Sequence, residues 1–215
     1  MKTALLVIDV QNDFIKEDGK LYIPYSKKII KGINDIKYNF DIVCYTKNIF
    51  PIKKEYSNSN NITISDSGKY CVLGTDGAKI YNDLLINNNI FIRNYDSNYS
   101  ALLSTNNSNI TLLDFLKSND ITHVFVSGVP GDYSVKYSLI DLNKHFKTYM
   151  IIDLIRTLGK LDSFINFLIK KRINLINSFD IKNILDKLKT NKKYYLNIKK
   201  SNIKKSPLLY TTYLY

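Results

Sequence analysis

The 215-residue chain has no tryptophan, two histidines, two cysteines and four prolines. With only Cys44 and Cys71, a disulfide framework is not expected, and a reducing, cytoplasmic setting is. No apolar run is long enough to span a bilayer, so a membrane partner is not expected either. The opening Met1-Lys2-Thr3-Ala4-Leu5-Leu6-Val7-Ile8 starts like a signal peptide, but Asp9 interrupts it too early. A buried first strand fits better. Asp and Glu are missing altogether after Thr190, where six lysines stand. Those six account for half of the net charge of +12, leaving about +6 for the rest. Such a concentration is more than solubility needs and points to a polyanionic partner.

What is present reads as one good-sized domain. Asn, Lys, Ile and Tyr are heavily used, as in AT-rich genomes, so a lone Lys or Asn carries little meaning. Thr3 to Val10 is a continuous apolar run, as in a central parallel strand. Tyr25 to Tyr38 carries Ile29, Ile30, Ile33 and Ile36 on one helical face. Asp41 to Thr46, Ile90 to Arg93, His123 to Ser127 and Tyr149 to Asp153 are further strands, with Cys44 as core. Helices are predicted near Ile80 to Leu85, over Asn109 to Ser118 with Thr111 or Asn109 as cap, and over Leu161 to Lys171. Ile173 to Phe179 reads as a last strand and Ile181 to Leu188 as a last helix. Lys53 to Ser67, rich in Asn and Ser, reads as a long surface loop. Alternating strands and helices predict a three-layer α/β/α domain with a parallel sheet over residues 1–188. A basic, Tyr-rich C-terminal extension follows over 189–215.

The segment Ser127-Gly128-Val129-Pro130-Gly131-Asp132-Tyr133-Ser134-Val135 is the strongest local signal. An apolar strand leads into a Gly/Pro turn and a helix start, which places the turn at the carboxyl end of the sheet, where ligands bind. Four other segments accompany it in order: Ala4 to Phe14 (ALLVIDVQNDF), Thr46 to Pro51 (TKNIFP), Tyr70 to Ala78 (YCVLGTDGA), and Ile92 to Ala101 (IRNYDSNYSA). Together these resemble the isochorismatase-like cysteine hydrolases, nicotinamidases most closely, over roughly residues 3 to 180.

The resemblance implies an attacking Cys thiolate, helped by an Asp and a Lys, and a divalent metal held by an Asp and two His. Asp9 occupies the Asp position, Arg93 the Lys position and Ser134 the Cys position. The metal-ligand positions hold Asn48, Phe50 and Tyr70, so no metal and no cofactor is expected. A thiol is intrinsically far more nucleophilic than a hydroxyl, which needs a positioned base such as His. Neither His123 nor His145 lies in a matched segment. Arg stays protonated where a buried Lys can give up its proton. Asp9 is either a surviving base or the ion-pair partner of Arg93, the latter being the expected arrangement. Ser134 is expected to cap the following helix, and Cys71 to be a buried thiol. The resemblance also places an unusual peptide in the turn, and Val129-Pro130 is expected to be cis.

These departures together predict a pseudoenzyme with vestigial positions Asp9, Arg93 and Ser134. The expected partner is ribosomal RNA, bound through Lys192, Lys193, Tyr194, Tyr195, Lys199, Lys200, Lys204, Lys205, Tyr210, Tyr213 and Tyr215. Lysines neutralise phosphates and tyrosines stack on unpaired bases. Lys53, Lys54, Lys170, Lys171 and Arg172 extend that footprint. A ribosome dormancy factor is the concrete expectation. The alternatives are a metal-independent hydrolase using Ser134 with Asp9 and Arg93, and a structural subunit of a protein oligomer.

Overall fold

A computed structural model describes residues 1–51, 53–56, 62–65, 69–94 and 99–189. The chain runs β1 (Lys2–Ile8), α1 (Asn12–Ile15), α2 (Ile29–Ile36), β2 (Ile42–Ile49), β3 (Lys53–Tyr56), β4 (Ile62–Ser65) and β5 (Ile90–Asn94). It continues through α3 (Leu112–Ser118), β6 (Ile121–Gly128), α4 (Lys136–Leu142), β7 (Lys147–Ile155), α5 (Leu161–Lys170), β8 (Asn174–Ile176) and α6 (Ile181–Lys189). Six strands form one parallel sheet in the order β5-β2-β1-β6-β7-β8. From β1 the chain steps to β2 and β5 on one side, then returns to place β6 on the other. The carboxyl ends of β1 and β6 therefore flank the crevice in which open α/β sheets hold ligands.

Both faces of the sheet are buried, which is why its strands read as continuous apolar runs. On one face Leu5, Val7, Tyr45 and Phe125 meet Ile29, Ile30, Ile33 and Ile36 of α2 and Ile181, Ile184 and Leu185 of α6. On the other Ala4, Leu6, Ile8, Val124 and Val126 meet Leu112 and Leu116 of α3, Leu139 and Leu142 of α4, and Phe164 and Leu168 of α5. The predicted three-layer architecture is the one observed. Thr111, rather than Asn109, caps α3, its side chain accepting from the Asp114 N–H. Among the described residues no helix is long and apolar enough to cross a membrane.

Three local expectations are corrected. The stretch read as a loop over Lys53 to Ser67 contains an antiparallel hairpin, β3 against β4, pairing Lys53 with Ser65 and Tyr56 with Ile62. The period-two pattern of Ile62-Thr63-Ile64-Ser65 carries that strand within an Asn/Ser-rich setting. No helix forms over Ile80 to Leu85. Instead Ile80 bridges antiparallel to Gln11, and the Tyr81 N–H donates to the Val10 carbonyl at 3.0 Å. Long-range backbone pairing thus takes the groups that a short helix would have used. The last strand is also shorter than expected, ending at Ile176 before a single 3₁₀ turn over Ser178–Asp180. The C-terminal extension lies outside the described residues beyond Lys189.

Candidate active site

The site assembles at the carboxyl ends of β1 and β6. Gly128 closes β6 with φ +118°, and a Cβ there would sit 2.1 Å from the Ile8 carbonyl oxygen. Only glycine lets the two strand ends approach so closely. Val129-Pro130 follows and is cis, as expected. Gly131–Val135 then forms a π-helical turn that runs directly into α4. The Gly131 N–H donates to the Arg156 carbonyl at 2.7 Å. Asp132 accepts from the Leu158 and Gly159 N–H groups at 3.0 and 2.7 Å. Ser134 is buried in this turn. It does not cap α4, because the helical run begins before it, at Gly131.

Arg93, at the end of β5, lies between Ser134 and Asp9. One guanidinium nitrogen, Nη2, donates to Asp9 Oδ2 at 2.5 Å and to Ser134 Oγ at 2.9 Å. Nη1 donates to the Tyr99 carbonyl. Arg93 and Asp9 side chains are 3% and 0% exposed, so this is a fully buried ion pair. Asp9 sits at φ +50°, and its other oxygen, Oδ1, accepts from the Thr46 hydroxyl at 2.6 Å. Its own N–H donates back to Thr46 Oγ1 at 3.2 Å. The carboxylate is therefore engaged at both oxygens. Among the described residues no base accepts a hydrogen bond from the Ser134 hydroxyl. His123 is at the opposite end of β6, stacked on Tyr149 with centroids 6.1 Å apart.

The neighbouring corner is built from rings. Phe50 packs edge-on against Tyr70, with centroids 4.9 Å apart at 70°, and Phe14 meets Tyr70 at 5.2 Å. Burial, with a smaller contribution from Tyr99, pushes the Tyr70 phenol up to about 12. Lys69 Nζ lies 5.2 Å from the Phe50 ring centroid. Cys71, next to Tyr70, is wholly buried, and burial raises its thiol above the ordinary value. Cys44, in β2, is likewise buried and likewise raised. Arg93 and Lys47 pull the Cys71 thiol the other way, but burial, with Asp9 and Asp13, outweighs them.

A polar frame fastens these corners. The Gln11 amide donates to the Asn48 and Ala78 carbonyls, each at 2.9 Å, and its oxygen accepts from the Asn48 N–H at 2.8 Å. Asp13 accepts from the Cys71 N–H at 2.5 Å and the Lys20 N–H at 3.1 Å. Gly77 faces the same carboxylate so closely that a Cβ would lie 2.1 Å from Asp13 Oδ2. Ser138 joins the last two segments, accepting from the Ala101 N–H at 2.8 Å and donating to the Ser134 carbonyl at 2.6 Å.

The profile of the Isochorismatase domain matches residues 3–164. The chain belongs to the isochorismatase family. A nicotinamidase of Acinetobacter baylyi is 30% identical over 171 residues, covering 70% of this chain and 79% of the relative. A probable inactive nicotinamidase of Arabidopsis thaliana is 25% identical over 149 residues, covering 65% of this chain and 71% of that one. Among solved structures, a nicotinamidase/pyrazinamidase of Acinetobacter baumanii superposes with a TM-score of 0.69 at 24% identity, covering 84% of this chain and 98% of that one.

In this isochorismatase-family chain the described parts of the five quoted segments converge on one site, and Arg93 joins Asp9 to Ser134 there. Asn48, Phe50 and Tyr70 gather beside them. The metal that the family pattern implies does not fit these residues: Phe50 has no lone pair, and Tyr70 keeps its proton because burial raises its pKa. Among the described residues no group of three His, Cys, Asp or Glu could hold an ion. Sequence reading gave no role to Thr46, Gln11, Asp13 or Ser138. The first three lie inside the matched segments, which was the available signal; Ser138 gave none. Lys192 to Tyr215, including every tail residue expected to bind RNA, lies outside the described residues, as do the side chains of Lys53 and Lys54.

Proposed function

We propose that this isochorismatase-family protein is catalytically inactive and acts as a binding protein. One guanidinium carries the reading. Arg93 donates from a single nitrogen to both Asp9 and Ser134, standing where a proton would have to pass between base and nucleophile. Arg remains protonated, so it cannot relay that proton. Among the described residues Ser134 is a hydrogen-bonded hydroxyl with no positioned base, and rings of Phe50 and Tyr70 occupy the corner beside Asn48. The inactive designation of the Arabidopsis thaliana relative is compatible with this reading. The partner in the proposal is ribosomal RNA, reached through the tail from Lys192 to Tyr215, in the manner of a ribosome dormancy factor. What supports it is the tail's composition, six lysines and five tyrosines without an acidic residue.

Two measurements test the proposal. Purified full-length protein should release no ammonia from nicotinamide. Turnover that is abolished by Ser134→Ala would overturn the inactive reading. The protein should also cosediment with ribosomes, and the bound fraction should fall as salt is raised or when residues 190–215 are removed. Unchanged sedimentation of the truncated chain would overturn the tail as the binding element.

A further inference from the structure

We propose that a track of exposed rings and lysines beside the Ser134 turn binds an unpaired RNA strand. This rests on the RNA-binding reading above, but it assigns a second surface, on the domain body and separate from the tail. Tyr99, Tyr133 and Tyr137 are 51%, 43% and 42% exposed. They form one cluster: Tyr99 stacks on Tyr137 with centroids 5.6 Å apart at 22°, and meets Tyr133 at 5.7 Å. Tyr133 and Tyr137 are one helical turn apart and so share a face. The cluster is held from beneath, because the Tyr99 carbonyl accepts from Arg93.

The track continues with cations and rings in alternation. Lys136 Nζ lies 5.6 Å from the Tyr137 centroid and 4.4 Å from that of Phe167 on α5. Lys171 Nζ lies 5.9 Å from Phe167 on its other flank. Lys170 and Arg172 are exposed alongside. None of these four cations forms an ion pair among the described residues. Of the acids on these elements, Asp141 pairs with Lys144 at 2.7 Å, while Asp132, which accepts two backbone N–H groups, and Asp162 keep their charges and are outnumbered by the four cations. The patch therefore joins ring faces to a net positive charge. Cations alone would take any polyanion, and rings alone would suit a protein. Their alternation suits a strand whose bases are free to stack while its phosphates meet lysines. A duplex hides its base faces and would use only the charge.

Anisotropy of the full chain with a fluorescein-labelled 12-nucleotide oligouridylate tests this. The strand should bind about tenfold more tightly than a 12-base-pair RNA duplex. Tyr133→Ala with Tyr137→Ala should weaken strand binding about tenfold, whereas Tyr→Phe at both positions should stay within about twofold of wild type because the ring faces remain. Lys136→Gln with Lys171→Gln should reduce the salt slope of binding by about 1.4, roughly 0.7 for each phosphate no longer neutralised. Strand binding unchanged in both the Tyr→Ala and the Lys→Gln variants overturns the track. So does a Tyr→Ala variant that binds RNA normally but loses self-association in sedimentation equilibrium, since the rings are then a protein interface. Full-length Lys199→Glu/Lys200→Glu protein separates the two readings. If it loses ribosomes while the Tyr→Ala variant binds the strand normally, the track falls and the tail stands. The opposite pattern removes the tail and keeps the track.

Discussion

The two halves of the candidate site are held together in opposite ways. The corner of Phe50 and Tyr70, beside Asn48, is a ring cluster buried enough to raise the Tyr70 phenol. The corner of Asp9, Arg93 and Ser134 has kept its charges and closed them on one another. One half is held by ring packing, the other by a buried ion pair. The energetic consequences differ accordingly. An aromatic contact is worth about 0.5–1.5 kcal/mol beyond its buried area and degrades gradually when trimmed. A buried ion pair stabilises little relative to an apolar replacement, yet losing one partner leaves the other charged and unsolvated.

That contrast can be broken from the polar side first. Asp9→Asn keeps a residue suited to φ +50° but leaves Arg93 buried without its counter-charge. The expected loss is about 3–5 kcal/mol, measured by urea unfolding. Adding Arg93→Met to Asp9→Asn should recover part of that loss. If the double variant is as unstable as the single one, the cost lies in Asp9's bonds to Thr46 and not in the stranded charge.

The apolar half should respond more mildly. Phe50→Ala removes one ring from a partly buried cluster and should cost about 1–2 kcal/mol. Its effect should add to that of Asp9→Asn, because among the described residues no side-chain hydrogen bond joins Phe50 or Tyr70 to Asp9, Arg93 or Ser134; an excess of more than about 0.5 kcal/mol would show that they are coupled.

The smallest effect lies outside both halves and calibrates them. Burial, with Lys147 and the N-terminal amine adding to it, lowers the pKa of His123 from its ordinary 6.5. The unfolded chain therefore takes up this proton first as pH falls. Stability is full above about 6.5 and declines as pH drops from there through the lowered folded value. His123→Gln should flatten that slope slightly, read as the change in Tm between pH 7 and pH 5. An unaltered slope would mean that His123 is solvated in the native state.

The strands of the central sheet were legible because burial on both faces writes them as uninterrupted apolar runs, as in Leu5-Leu6-Val7-Ile8. The helix of Ile29, Ile30, Ile33 and Ile36 was legible through its period. The encounter of Asp9 with Arg93 was legible only through the family resemblance, since 84 residues separate the two. The β3–β4 hairpin escaped because its two short strands lie among Asn and Ser, whose composition favours turns. The helix expected at Ile80 to Leu85 failed for a different reason. Local periodicity there is real, but the backbone of Ile80 and Tyr81 is claimed by Gln11 and Val10. Ser134 was misplaced as a cap because a π-helical turn has no distinct composition, and the helix starts earlier than its apolar pattern. Ser138 was invisible, as a serine on a helix gives no sign that it will bridge two distant backbones.

The Gln11 clamp has a further consequence. It holds the segment of Asn48 by its main-chain N–H and carbonyl, and Asp13 holds Cys71 by its N–H. These two fasteners thus grip peptide groups that every residue type shares, Pro apart, at position 48 and next to position 70. At these two places side-chain chemistry and backbone fastening are separable. Asn48 and Tyr70 can therefore change side chain without losing these bonds, whereas Arg93 is tied through its side chain, and a change there alone would leave Asp9 buried without its counter-charge.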